Sequence, residues 1–105
     1  MFTAKIMNKT AQEILNIIEL HRDTIKKFGV RRLGLFGSHV RGEGKESSDL
    51  DFVVDFEDKT FDNYMDLKFF LEDLFNCPVD LVMIEAIKPR LKPVILNETV
   101  YAQGF

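Results

Sequence analysis

The chain has 105 residues, of which 46% are hydrophobic and 30% charged, with a single cysteine and a formal net charge of −3. This is the make-up of one small domain, residues 1–105, with a core fed by ten phenylalanines, and it excludes a disordered chain, a collagen-like repeat and a disulfide scaffold. A sequence pI near 5.3 lacks the basic footprint for gripping a duplex, and no apolar run approaches the roughly 20 residues of a membrane span, so long nucleic acid and membrane are excluded as partners and a cytoplasmic location is expected.

Thr10 followed three residues later by Glu13 is a capping-box pattern. Ile14, Ile17, Ile18, His21, Ile25 and Phe28 then recur at helical spacing, which predicts a first helix over 11–28 with His21 on its rim. Gly29 suits the helix end, and Val30 to Phe36 is β-rich enough for a first strand. The next segment, Gly37-Ser38-His39-Val40-Arg41-Gly42-Glu43-Gly44-Lys45-Glu46-Ser47-Ser48, holds three of the six glycines and reads as a loop with one short helical turn. His39 is expected to be exposed there, with Glu43, Lys45 and Glu46 solvated.

From Asp49 to Phe56 the residues alternate, Leu50, Phe52, Val54 and Phe56 on one face and Asp49, Asp51, Val53 and Asp55 on the other, so the strand has an apolar side and an acidic side. Tyr64, Leu67, Leu71 and Leu74 predict a second helix over 61–75, with Phe69, Phe70 and Phe75 read as core. Pro78 opens a strand from Val79 to Ile84, and 88–97 reads as a final short helix with Pro89 in its first turn and Pro93 limiting its length. Cys77 lacks the paired Cys or His neighbours of a zinc site and reads as buried and inert. The fold class that follows is α/β (α+β), a small mixed β-sheet flanked by helices.

A strand, helix, strand unit crosses over right-handed and leaves its strands parallel, so the starts of strands 49–56 and 79–84 share one end of the sheet. If the first strand pairs antiparallel with the second, Gly37 and Ser38 reach that end too. Asp49 and Asp51 leave one face with Cα atoms about 7 Å apart, and Asp80 can stand beside them at roughly 5 Å strand spacing. Asp55 shares that face but lies about 20 Å away along the strand. Three carboxylates so close repel one another and call for a cation unless some bind protons. Oxygen-only ligands favour Mg²⁺, which is commonly completed by the phosphates of a nucleoside triphosphate. The Gly37-Ser38 turn offers close backbone approach and exposed amides to a phosphate. Arg41, one turn later, either holds a phosphate oxygen or pairs with an aspartate and holds the loop.

The run Gly37-Ser38-His39-Val40-Arg41-Gly42, followed by Ser48-Asp49-Leu50-Asp51, resembles the signature of the DNA polymerase β superfamily of nucleotidyltransferases. The short chain is similar, within it, to the minimal nucleotidyltransferases found as antitoxins beside HEPN-domain toxins. The likeness is strong from about Val30 to Ile84 and looser at the flanks. It implies that Gly37 and Ser38 bind the triphosphate of ATP, that Asp49 and Asp51 hold two Mg²⁺ ions, and that Asp80 is a third metal-binding carboxylate that activates the acceptor hydroxyl. It implies transfer of AMP onto a tyrosine of the partner toxin. Val40 stands where the family often has a small residue. Two other functions compete: an antitoxin that blocks its partner by contact alone, and a small-molecule nucleotidyltransferase of the antibiotic-modifying kind. The second fits less well, because such enzymes build the acceptor pocket with a further domain. A domain with so little wall around its acceptor side is expected to act on a protein or to be completed by a second subunit.

Overall fold

Thr10 starts the first helix, α1 (Ala11–Leu20): its hydroxyl accepts from the Glu13 N–H at 3.1 Å while the Glu13 carboxylate accepts from the Thr10 N–H at 2.8 Å, closing the capping box. The computed structural model describes residues 10–42 and 49–105. The helix expected to run unbroken over 11–28 divides at His21, whose backbone (φ −106°, ψ 18°) leaves the helical region. Its N–H reaches the Ile18 carbonyl at 3.0 Å and its ring Nδ1 lies 2.9 Å from the Ile17 carbonyl, so the turn tightens before α2 (Arg22–Lys26) resumes. The apolar stripe survives the break, because Ile14, Ile18 and Ile25 are all fully buried.

β1 (Val30–Phe36), β2 (Leu50–Phe56) and α3 (Phe61–Phe75) follow the bounds read from the sequence, apart from Asp49 standing just before its strand. β3 (Val79–Met83) stops one residue early, where Ile84–Ala86 forms a 3-10 turn. α4 (Lys92–Glu98) begins four residues later than expected, with Pro93 instead of Pro89 in its first turn, where the missing N–H has no helical partner to lose. A fourth strand, β4 (Val100–Tyr101), was not expected. No described helix is long and apolar enough to cross a membrane.

The four strands form one mixed sheet in the order β3-β2-β1-β4. β1 runs antiparallel to β2 and β4, and β2 runs parallel to β3, as the crossover rule requires. Leu33, Leu35, Leu50, Phe52, Val54 and Phe56 point to one face and pack under α1, α2 and α3, with Phe75 stacked on Phe52 at 6.0 Å. Phe70 leans on Phe28 and His21, so the core reading of that stripe holds for Phe70 and Phe75 but not for Phe69, which is exposed. The opposite face is not wholly acidic. Val53 is fully buried there beneath Ile84 and Ile87, with Phe36, Ile95 and Leu96 closing around it. This second, smaller cluster seats α4 against the sheet beside the carboxylates.

Candidate active site

Strand pairing decides where the carboxylates stand. Asp51 is the direct partner of Phe36 across the β1–β2 ladder and of Asp80 across the β2–β3 ladder, and paired residues share a face. Asp49 lies two residues before Asp51, exposed at the same rim. The Asp51 carboxyl is pushed up to about 6, first by burial and then by the negative charges of Asp80 and Asp49, with Arg41 pulling it down and Glu98 raising it further. The three aspartates singled out in the sequence therefore meet. α3 fixes Asp80 from outside: on this edge strand Tyr64 donates to the Leu81 carbonyl at 2.6 Å, Lys68 to the Val79 carbonyl at 2.9 Å, and Glu72 accepts from the Val79 N–H at 3.1 Å.

The turn after β1 arrives at the same rim. Gly37 has φ +89°, and a Cβ placed on it would lie 2.3 Å from Asp51 Oδ2, so both the backbone angle and the close approach require glycine. The Gly37 carbonyl accepts from the Val40 and Arg41 N–H groups at 3.1 and 3.2 Å, which makes the short helical turn expected here. Among the described residues the Ser38 and His39 N–H groups form no hydrogen bond, leaving two consecutive amides available to an anion. The Gly37 N–H is not available to one: it donates to Glu98 Oε2 at 2.9 Å. Glu98 also accepts from Arg41 Nη1 at 3.0 Å, so the arginine pairs with a glutamate of α4 while its charge also acts on Asp51.

Among the described residues, no three His, Cys, Asp or Glu side chains close on a point where one ion would sit. The rim presents Asp49, Asp51 and Asp80 as neighbouring carboxylates. It fits Mg²⁺ held by one or two carboxylates and completed by water and substrate phosphate, since the donors are all oxygen and Asp51 carries an excess of neighbouring negative charge.

The sequence model of the nucleotidyltransferase domain matches residues 17–102, which span both the turn and all three aspartates. The chain belongs to the nucleotidyltransferase domain family. It is similar to the protein adenylyltransferase MntA of Thermococcus cleftensis, with 43% identity over 94 residues that cover 88% of this chain and 95% of the relative. A solved structure described as a minimal nucleotidyltransferase shares the fold with a TM-score of 0.76 and 33% identity, over 89% of this chain and 96% of the other. A chain from a crystal structure of the MntA–HepT toxin–antitoxin complex matches with a TM-score of 0.61 and 25% identity, over 90% of this chain and 73% of that one.

Not every residue of this nucleotidyltransferase domain stands where its sequence reading put it. His39 is buried, not exposed; burial lowers its pKa, and neither ring nitrogen has a hydrogen-bond partner among the described residues. Val40 is partly buried and packs against the main core. Asp55 lies away from the rim, as expected, and pairs with Arg31 at 3.4 Å and Arg32 at 3.3 Å. Cys77 is half-buried, its thiol pKa raised by burial and then by Asp49. Glu43, Lys45, Glu46 and Ser48 lie outside the described residues. Glu98 was missed. The signal that could have found it is the need of Arg41 and of the first amide of the turn for an acceptor.

Proposed function

We propose that this nucleotidyltransferase is a Mg²⁺-dependent protein adenylyltransferase, one domain over residues 1–105, that works in the cytoplasm as the antitoxin of a HEPN-domain toxin by moving AMP from ATP onto a tyrosine of that partner. The observation that carries the reading is the contact of Gly37 with Asp51, which joins a turn with open amides to a carboxylate flanked by Asp80 and Asp49. Similarity to MntA along most of both chains, and a shared fold with a chain of the MntA–HepT complex, support the acceptor class.

In this reading the Ser38 and His39 amides, the Ser38 hydroxyl and Arg41 take the triphosphate, Asp49 and Asp51 face two metal ions, and Asp80 faces the acceptor. Mg²⁺, when bound, neutralises the triphosphate and the charge that builds on it in the transition state. The tyrosine oxygen forms a bond to the α-phosphorus as the bond from that phosphorus to the bridging oxygen of the β-phosphate breaks. Pyrophosphate leaves with that electron pair, and the phenolic proton passes to Asp80. Most of the rate enhancement in such transfers comes from positioning and charge neutralisation, which a small rim of side chains can supply.

The test is incubation with ATP labelled on its α-phosphate, Mg²⁺ and the protein encoded beside this one. Label on the neighbour that is lost in Asp49→Asn with Asp51→Asn supports the proposal. Neutralisation of the neighbour that survives the double substitution, with no label transferred, points instead to an antitoxin acting by contact.

A further inference from the structure

Glu98 sits in the last turn of α4, 61 residues along the chain from Gly37, yet both of its carboxylate oxygens are committed to the turn after β1. Oε2 accepts the Gly37 N–H at 2.9 Å, while Oε1 and Oε2 lie 3.0 and 3.3 Å from Arg41 Nη1. The side chain is one-quarter exposed, so this charge-assisted clamp is partly sheltered from water. A carboxylate aimed at an anion-binding turn is costly unless something offsets its charge, and the guanidinium of Arg41 does so at contact distance. The pair thus holds both ends of the five-residue turn, at residue 37 and at residue 41. Between them the Ser38 and His39 N–H groups make no hydrogen bond among the described residues.

We propose that Glu98 is a positioning residue for the nucleotide: by pinning Gly37 and Arg41 it pre-forms the turn whose open amides receive the triphosphate. The inference rests on the reading of that turn as the ATP site. It also explains why α4 is seated by Val53, Ile84 and Ile87 on the face that carries the carboxylates: that seating brings Glu98 to the rim. Without the clamp, the turn would have to be ordered at the moment of binding, and that ordering would subtract from affinity.

Binding of ATP with Mg²⁺ to the whole chain, followed by calorimetry, tests this without an acceptor. Glu98→Ala is expected to weaken binding about tenfold or more, and Glu98→Gln about threefold, since glutamine keeps an acceptor for the Gly37 amide but loses the charge facing Arg41. Melting temperatures measured alongside separate a fold defect from a binding defect. In an Arg41→Ala background, Glu98→Ala is expected to add less than it does alone, a coupling that a purely structural residue would not show. Wild-type affinity in either Glu98 variant, tighter binding in Glu98→Ala, or an undiminished loss without Arg41 overturns the inference while leaving the adenylyltransferase reading intact. Failure of the wild-type chain to bind ATP with Mg²⁺ overturns both.

Discussion

The α-carbon of Gly37 stands so close to Asp51 that a methyl group on it would lie 2.3 Å from the carboxylate oxygen Oδ2. Gly37→Ala must therefore either displace Asp51 or distort the turn, and at φ +89° alanine adds strain on the order of 1–2 kcal/mol. Nucleotide transfer is expected to fall at least about 100-fold while the melting temperature drops by only a few degrees. Transfer kinetics and a thermal melt on the same preparation check this; retained transfer would show that Asp51 needs no such close neighbour.

Asp51 should titrate late. Its carboxyl, ordinarily near 3.8, is pushed up to about 6 by burial and by Asp80 and Asp49. Because the folded-state value lies above the unfolded one, the stability this group contributes is present below about 3.8 and is lost as pH rises through about 6. Carbon-detected NMR of the metal-free protein should give a midpoint near 6 for Asp51. Asp80→Asn should move the midpoint down, since one neighbouring negative charge is gone, though not back to the ordinary value, because burial is the larger cause. Mg²⁺ with ATP should lower it further by favouring the charged form.

Asp80 and Asp51 are ladder partners, but the proposal gives them different tasks. Asp80→Asn is expected to lower kcat by about 10²- to 10⁴-fold, the range for losing a general base, with the affinity for ATP changed far less. Asp51→Asn is expected to abolish Mg²⁺-dependent ATP binding itself. Parallel kinetic and binding measurements distinguish the two, and equal loss of ATP affinity in both variants would assign Asp80 to metal binding alone.

Gly34 shares a sheet face with Val53, and a Cβ there would meet Thr99 Cγ2 at 2.5 Å and the Tyr101 ring at 3.0 Å. Gly34→Ala is expected to cost about 1–3 kcal/mol through overpacking and to push β4 away from β1. Chemical denaturation measures that cost. A matching loss of ATP affinity would report the displacement carried through to Glu98.

Strong local pattern made much of this molecule readable in advance. The alternation of β2, the turn residues at 37–42 and the heptad-like spacing of α3 each point to one structure, and the crossover rule then brings Asp51 beside Asp80. The break at His21 was hidden because the apolar stripe continues through it. β4 was hidden for a different reason: two residues carry no periodicity, and the strand exists only because β1 offers Gly34 and Leu35 as partners. The burial of Val53 depends on Ile84 and Ile87, residues that no local window around β2 contains. Glu98 is the clearest case. A lone glutamate in a short helix announces nothing until the chain returns it to the turn it grips.

That grip has a thermal consequence. Glu98 lies two residues before β4, which is held at the sheet edge by the pairs Gly34–Tyr101 and Leu35–Val100 and by the bond from the Ala102 N–H to the Leu33 carbonyl at 2.9 Å. Short edge seams open at lower free energy than packed layers. Warming should thus disable nucleotide handling before the helical side of the sheet melts, and cooling should restore it, because a two-residue stitch gives way before the packed interior of isoleucine, leucine, valine and phenylalanine.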